Sequence, residues 1–213
     1  AVTPTRDFGP VKDQGAIWDK LSKRYIASPI GDPDAYEHKL DLTRKYLRPD
    51  MDVLEIGCGS GNTGRKHAPL VGSYTAMDIS SEMIKRGRAL GDVPANMRYV
   101  HGNFDEIETT PARYDMVLAL SVLHLLPDPA ATVKKIAASL RPGGYFVSST
   151  VRTGNIAVLR LIAPVGQALG LVPHLSFIKG DDIRRYMTEA GLEIVEEWEK
   201  NPRSALFLIA QKM

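Results

Sequence analysis

The sequence predicts an α/β protein with a doubly wound, mostly parallel seven-stranded sheet and one antiparallel strand near the C-terminus. Three observations support this fold class. Short apolar segments alternate with helix-like segments through the middle of the chain, a glycine-rich turn follows the first apolar segment, and the last two are joined too closely for a parallel crossover. The length of 213 residues fits one domain with one core.

The predicted elements follow in chain order. A helix over Asp34–Leu47 ends before Pro49, because proline cannot continue a helix. Five short, mostly apolar segments are then predicted as strands, namely Asp52–Ile56, Gly72–Met77, Arg98–His101, Tyr114–Leu120 and Tyr145–Thr150. The helices between them are Ser81–Leu90, which begins with a capping box, and Pro129–Leu140, which Pro142-Gly143-Gly144 stops.

The end of the chain breaks this alternation. A helix over Asp181–Ala190 precedes two strands, Leu192–Trp198 and Ala205–Gln211. Only a few residues around Pro202 separate these strands, and a link of that length makes an antiparallel hairpin.

Composition and charge exclude several classes of protein. The net charge of +2, with scattered Lys and Arg, does not form the basic stripe of a nucleic-acid enzyme. The single cysteine, Cys58, excludes an internal disulfide and favours a reducing compartment. No apolar segment is long enough to span a membrane, and the first ten residues lack the apolar core of a signal peptide. We therefore expect a cytoplasmic protein without stable membrane insertion.

The glycine-rich turn is the most specific local feature. Gly57, Gly59 and Gly61 alternate between a predicted strand and a predicted helix, where bare N–H groups favour a negatively charged ligand group. Asp78 ends the next strand, about 20 residues on, where a carboxylate can hold the two hydroxyls of a ribose. A turn that needs glycine only for its backbone angles would not explain three alternating glycines followed by this acid.

The glycines alone do not identify the ligand. Gly59, Gly61 and Gly64 also fit the pattern of a nicotinamide dinucleotide site. Glu55, two residues before the first glycine, would repel a pyrophosphate but suits an ammonium or sulfonium charge. The charge of Glu55 thus favours S-adenosylmethionine over NAD.

Four segments in this order resemble the motifs of the class I S-adenosylmethionine-dependent methyltransferases, particularly the small bacterial enzymes that act on small molecules. The segments are Leu54–Gly61, Met77–Ser80 with Met83, Tyr114–His124 and Leu140–Gly144. The resemblance implies a Rossmann-like fold, S-adenosylmethionine as cofactor with S-adenosylhomocysteine as product, no metal, and methyl transfer by direct displacement.

The resemblance also implies which residues bind the cofactor. The first motif (Glu55, Gly57, Cys58, Gly59 and Gly61) would wrap its methionine half, and Asp78 would bind the ribose. Ile79 would lie on the adenine, Met83 belongs to the same motif, and the backbone of Leu120 and Ser121 would meet the cofactor's amino group. Where the family usually has Gly-Asp-Ala, this chain has Gly102-Asn103-Phe104, so Asn103 would accept from the adenine and Phe104 would stack on it.

Candidate residues for the acceptor side are fewer. Direct displacement needs a general base only if the acceptor is bound in its protonated form. His124, after the fourth strand, is the candidate base, with a packed histidine as the alternative. The spacing of Trp18 and Tyr25 resembles that of the N-terminal arm in several family members, where the tyrosine lies near the cofactor. We predict that Trp18, Tyr36 and His174 lie on the acceptor side. Aromatic residues that only pack against the core would explain the arm equally well.

Residues 154–177 form an apolar, broken helical insertion before the last helix. Insertions at this place commonly cover the acceptor, so a lipophilic or aromatic small molecule is expected. A homodimer surface, additional core or a membrane contact are the alternatives. The single methyltransferase domain, 1–213, would then consist of a helical arm (1–49), a cofactor-binding core (50–150), a lid-like insertion (151–179), and a C-terminal helix and hairpin (180–213).

Other functions remain open at this point. A nicotinamide-dependent oxidoreductase fits the glycine pattern, and aminopropyl transfer or non-catalytic S-adenosylmethionine binding fits the same scaffold. A nucleic-acid methyltransferase is disfavoured, because the chain has no Asn/Asp-Pro-Pro-aromatic motif and no Pro-Cys nucleophile.

Overall fold

The computed structural model describes residues 13–155, 173–202 and 204–213. In this part of the chain seven strands form one sheet: β1 (Asp52–Ile56), β2 (Ser73–Asp78), β3 (Met97–His101), β4 (Tyr114–Leu120), β5 (Leu140–Thr150), β6 (Leu192–Trp198) and β7 (Leu206–Lys212). Their spatial order is β3-β2-β1-β4-β5-β7-β6. Strand β7 is antiparallel to both of its neighbours, and all other pairs are parallel. The predicted fold class is confirmed.

Helices cover both faces of the sheet. Those in the described residues are α1 (Gln14–Ala27), α2 (Pro33–Arg44), α3 (Asn62–His67), α4 (Ser81–Ala89), α5 (Pro129–Ser139) and α6 (Gly180–Glu189). Helices α5 and α6 pack on one face, where Val133 and Ile183 join the core of β1 and β4. Helices α2 and α4 contribute Leu42 and Ile84 to the core on the other face. The central strands are therefore buried on both sides, which explains their continuously apolar sequence.

Two elements differ from their prediction. Strand β5 already begins at Leu140, so the predicted stop Pro142-Gly143-Gly144 lies inside the strand. The register of β4 and β5 shifts between Tyr114 and Met116, and Gly143 takes a positive φ of 76°. Such a bulge accommodates a proline and a glycine that would otherwise end a strand. The arm predicted over residues 1–49 contains a separate helix, α1, which Asp13 caps by accepting from Ala16 N at 3.1 Å.

The topology places a crevice at the carboxyl ends of the strands. Strand β1 pairs with β2 on one side and with β4 on the other, so the order in which the strands are added to the sheet reverses at β1. In open α/β sheets ligands bind at such a switch point. Both the glycine-rich turn after β1 and the turn after β4 lie there.

Most of the predicted insertion, residues 156–172, lies outside the described residues. Its two described ends lie together, because Gly154 N donates to Ile178 O at 3.0 Å and Thr153 Oγ1 donates to Ser176 O. Within the described residues, none of the helices has both the length and the apolar character that a membrane crossing requires.

The buried ring of His67 makes the stability of the fold depend on pH. The residue is fully buried at the end of α3, and burial, with a smaller contribution from Arg44, lowers its pKa from 6.5 to about 4. The unfolded chain therefore binds a proton below pH 6.5 that the folded chain does not bind until about pH 4, so His67 destabilises the fold progressively as the pH falls through this window.

We predict that His67→Met removes this dependence. The free energy of unfolding of the wild type, relative to that of the variant, should fall by about 2 kcal/mol between pH 7 and pH 5. Urea denaturation at both pH values measures the difference. The exposed His38→Gln variant is the control and should show no such change. A difference between wild type and His67→Met that is independent of pH would contradict the prediction.

Candidate active site

A cavity of about 1090 Å³ opens at the carboxyl ends of the strands. Among the described residues its wall includes eleven of the predicted site residues: Trp18, Tyr25, Gly57, Gly59, Asp78, Ile79, Met83, Asn103, Phe104, Leu120 and Ser121. They come from α1, from the last residues of β2 and β4, from the turns after β1, β2, β3 and β4, and from α4. The volume exceeds the usual range of roughly 300–1,000 Å³ for ligand pockets, so two small ligands have room side by side.

The glycine-rich turn forms one side of the cavity. Gly57 and Gly59 adopt φ values of +66° and +55°, which a residue with a side chain rarely takes. A Cβ at Gly57 would also lie 2.4 Å from Cγ2 of Val122. The turn therefore requires glycine for its conformation and for the close approach of the segment after β4.

The carboxylate of Asp78 joins this turn to the next strand. Its Oδ2 accepts from Gly59 N at 2.7 Å, and its Oδ1 accepts from Ser80 N at 2.8 Å. The side chain is buried, and burial raises its pKa although both N–H bonds favour the charged form. Asp78 thus binds the main chain of the glycine-rich turn and of the segment before α4, and it also lines the cavity.

The turn after β3 forms the opposite side and carries Asn103 and Phe104. Asn103 accepts from Asp105 N at 3.1 Å and donates to Glu106 Oε1 at 2.9 Å, so its amide is already engaged within the turn. Lys135, on α5, lies over the ring of Phe104 and donates to the carbonyls of three residues, namely Phe104, Asp105 and Ile107. Lys135 thus stabilises the conformation of this turn, a role that the sequence analysis did not predict.

Strand β4 ends at the cavity in a strained conformation. Ser121 has a φ of +62°, which is unusual for a residue other than glycine, asparagine or aspartate. Its N–H donates to Ser149 O on β5 at 2.7 Å. Backbone strain of this kind is often retained at functional sites. The turn exposes Ser121 at the cavity wall directly after Leu120.

The N-terminal helix α1 forms part of the cavity wall. Asp19 accepts from Ser80 Oγ at 2.6 Å, from Glu82 N at 3.0 Å and from Ser81 Oγ at 3.2 Å, and thereby caps α4. Burial acts to raise the pKa of this carboxyl, but the three hydrogen bonds outweigh it and lower the pKa. Trp18 and Tyr25 are held at the wall as a T-shaped pair with ring centroids 5.8 Å apart. In the sequence, Asp19 is indistinguishable from an acid on a solvated helix face.

Six predicted site residues do not contribute to the wall that the described residues form: Tyr36, Glu55, Cys58, Gly61, His124 and His174. Glu55 is buried with Tyr74, whose hydroxyl donates to it at 2.9 Å, and burial raises its pKa to about 8. Tyr36 hydrogen-bonds Thr63 Oγ1 at 3.2 Å. The side chains of Glu55 and Tyr36 are therefore held by Tyr74 and Thr63 and do not face the cavity.

The two histidines of this group, His124 and His174, lie next to residues of the wall. His124 is buried in the 3₁₀ turn Leu123–Leu125; no described residue hydrogen-bonds its Nδ1, and burial lowers its pKa to about 4. His174 is half-buried, and its main-chain N–H donates at 2.8 Å to Oε1 of Gln14, a residue of the wall. Ser176 N donates to His124 O at 2.8 Å, so the chain at Ser176 is held against the turn that follows β4.

The described residues contain no group of three or more His, Cys, Asp or Glu side chains arranged to hold a metal ion.

Comparison with known proteins identifies a family for this architecture. The sequence model of the methyltransferase domain family matches residues 31–197. A protein named ubiquinone biosynthesis O-methyltransferase from Idiomarina loihiensis is 32% identical over 187 residues, which cover 79% of this chain and 76% of that protein. The protein of the same name from Aromatoleum aromaticum is 31% identical over 151 residues, covering 68% of this chain and 64% of the relative. The match thus spans less than two thirds of the Aromatoleum protein.

Solved structures share the fold at low sequence identity. The cyclase SpnF superposes with a TM-score of 0.75 over 100% of this chain and 97% of its own, at 14% identity. An S-adenosylmethionine-dependent methyltransferase from Mesorhizobium loti superposes with a TM-score of 0.66 over 81% of this chain and 96% of its own, at 19% identity. These likenesses show the fold and do not assign a reaction.

We predict that Asp19→Ala releases helix α1 from the cavity. The variant loses three hydrogen bonds to a carboxylate, so the amides of residues 16–25 should exchange at least tenfold faster in hydrogen–deuterium exchange. Asp34→Ala, an exposed acid in the first turn of α2, is the matched control and should leave these rates unchanged. Unchanged exchange in Asp19→Ala would show that other contacts hold the arm.

Proposed function

This chain belongs to the class I S-adenosylmethionine-dependent methyltransferases, and we propose that it transfers the cofactor's methyl group to a hydroxyl oxygen of a small aromatic acceptor. The observation that carries the proposal is the junction at Asp78, where one buried carboxylate holds the glycine-rich turn and faces a cavity large enough for two ligands. The relatives named O-methyltransferases support oxygen as the acceptor atom.

The residues present fit the cofactor. Gly57 and Gly59 leave the main chain accessible for the methionine half, Asp78 offers carboxylate oxygens to a ribose, and Ile79 with Phe104 provides apolar surfaces for an adenine. When bound, S-adenosylmethionine supplies an electrophilic methyl group on a sulfonium. We propose that Met83, Asn103, Leu120 and Ser121 complete this half of the cavity, and that Glu55, Cys58 and Gly61 act through the conformation of the turn.

The remaining wall fits an apolar acceptor. Trp18 and Tyr25 line the same cavity as Leu125, Leu126 and Pro127, and these side chains are aromatic or aliphatic. Methyl transfer by direct displacement depends chiefly on alignment of the reacting atoms and on exclusion of water. An apolar wall excludes water and receives a flat ring, which supports an aromatic acceptor.

The arm and the insertion would then control access. Helix α1 is bound to α4 through Asp19, and the described ends of the insertion meet beside Gln14. We propose that the insertion acts as a cover for the acceptor, as its apolar sequence suggests. Tyr36 and His124 would support this part of the site from outside the wall.

We predict that the protein binds S-adenosylmethionine and S-adenosylhomocysteine with micromolar affinity in calorimetric titration and does not bind NADH. Asp78→Asn should weaken both adenosyl ligands at least tenfold, because an amide cannot accept from the ribose and from Gly59 N in the same way. Asp92→Asn is the matched control, since Asp92 lies in a turn after α4 outside the wall. Binding of NADH alone would refute the assignment of the cofactor.

We also predict methyl transfer to catechol. Incubation with S-adenosylmethionine should give the monomethyl ether, detected by mass spectrometry, together with stoichiometric S-adenosylhomocysteine. Trp18→Ala should raise the KM for catechol more than it lowers kcat, because it removes an apolar contact that is the same in the ground and transition states. A protein that binds the cofactor but methylates neither catechol nor more lipophilic catechols would contradict the proposed acceptor class.

A further inference from the structure

We propose that the face formed by helices α1 and α4 docks on an anionic lipid surface, with Leu90 at the boundary between headgroups and acyl chains. The two helices border a groove of about 290 Å³. It is lined by six residues, namely Lys23, Ile26, Ala27, Arg86, Ala89 and Leu90. The groove lies outside the cavity wall, so docking there is independent of the proposed function.

Contacts between the two helices fix the groove. Asp19 of α1 accepts from Ser80 Oγ, at the start of α4, at 2.6 Å. Further along both helices, Ser22 Oγ accepts from Arg86 Nε at 3.1 Å. The helices therefore run side by side in the same direction, and their C-terminal turns border the groove.

Positive charge is concentrated on these two helices. Together α1 and α4 carry six Lys or Arg residues and two Asp or Glu residues, a net charge of +4. The whole chain has 27 Lys or Arg and 25 Asp or Glu residues, so the remainder has a net charge of −2. In the sequence these bases look scattered, and the packing of α1 against α4 brings them close together.

The basic side chains at the groove are available to a partner. Lys20, Lys23 and Arg24 are exposed, and in the described part of the chain no carboxylate forms an ion pair with them. Lys85 lies 3.3 Å from a carboxylate oxygen of Glu82, but its side chain is 76% exposed. The face therefore presents positive charge that the described residues neutralise only in part.

Aliphatic side chains are exposed among these bases. Leu90 is 56% exposed at the end of α4, and Ile30 is 46% exposed three residues after α1. In a protein that binds a bilayer surface, Lys and Arg attract the anionic headgroups while aliphatic side chains reach the acyl boundary. The α1–α4 face combines both kinds of group.

The composition of the face favours lipid over other anionic partners. Three of its bases are lysines, Lys20, Lys23 and Lys85, and lysine is depleted in protein–protein interfaces. Nucleic acids are bound through phosphate contacts, base edges and aromatic stacking, which give an exposed leucine no role. Anionic headgroups above acyl chains suit both the lysines and Leu90.

Docking through this face brings the cavity close to the bilayer. Trp18 and Tyr25 line the cavity, whereas Lys23 and Ala27 of the same helix line the groove. One helix, with a diameter of roughly 10 Å, therefore separates the two. An apolar molecule dissolved in the lipid would lie near the apolar part of the cavity wall.

The first test is sedimentation with vesicles, in the absence of cofactor and acceptor. Vesicles of phosphatidylcholine are compared with vesicles in which one third of the lipid is phosphatidylglycerol. The wild type should partition at least tenfold more strongly to the anionic vesicles, and high salt should weaken this binding because it screens the charges. Equal partitioning to both kinds of vesicle would overturn the proposal.

The second test moves the same charge change to another surface. Lys23→Glu/Lys85→Glu should weaken partitioning to the anionic vesicles at least tenfold. The matched control is Lys45→Glu/Lys134→Glu, which alters net charge equally at exposed positions that do not line the groove, and it should have less than a threefold effect. Equal weakening by both double variants would show that net charge alone governs binding, and the assigned face would be wrong.

The third test concerns the aliphatic contact. Leu90→Gln should weaken partitioning at least threefold, because a polar side chain is disfavoured at the acyl boundary. Leu70→Gln is the control, since Leu70 is also exposed (41%) and lies outside the groove. Wild-type partitioning by Leu90→Gln would show that the vesicles contact another surface.

The remaining outcomes concern folding and other partners. Urea denaturation should give each variant the wild-type free energy of unfolding, and if one double variant is unstable, Leu90→Gln and the salt dependence still decide. Binding of poly-glutamate without binding of vesicles would overturn the lipid assignment in favour of an acidic protein. Since neither cofactor nor acceptor is present, these results stand whether or not the proposed methyl transfer is observed.

Discussion

The buried carboxylate of Asp78 is the interaction on which the rest of the site depends. It accepts from the main chain of the glycine-rich turn after β1 and from the main chain that starts α4, so it fixes two segments that are adjacent only in space. A carboxylate in such a place requires donors on several sides, because burial disfavours its charge. Main-chain N–H groups meet that requirement without adding side chains to the cavity, and this leaves the cavity surface open for a ligand.

The segment that follows Asp78 also makes contacts with the N-terminal helix α1, and α1 in turn contacts the chain at His174. The segment that follows Asp78 offers Ser80, Ser81 and Glu82 to Asp19, and so brings an N-terminal helix onto the cavity. That helix carries Gln14, which binds the main chain of His174. Hydrogen bonds at both ends of α1 therefore connect the segment after Asp78 with the main chain of His174.

The sequence predicted those features that depend on residues close together in the chain, and it did not predict contacts between distant residues. Strands β1 and β4 have the predicted bounds, because a strand buried on both faces leaves an uninterrupted apolar pattern. The start of β5 was wrong, because a proline and two glycines look alike in a helix stop and in a bulge. Asp19 and Lys135 were missed because their partners lie about 60 and 30 residues away. The direction of the Glu55 side chain depends on Tyr74, which sequence spacing does not reveal.

The position of β7 has a consequence for synthesis. This strand follows β6 in the chain but lies between β5 and β6 in the sheet, and it pairs with both. When β6 is synthesised, the strand that joins it to the rest of the sheet has not yet been made. The emerging chain can complete β1 to β5 and their helices first, but β6 stays unpaired until residues 206–212 arrive. The carboxyl-terminal hairpin must therefore dock as a unit and late, and the exposed edge of β5 has to stay free of other chains until it does.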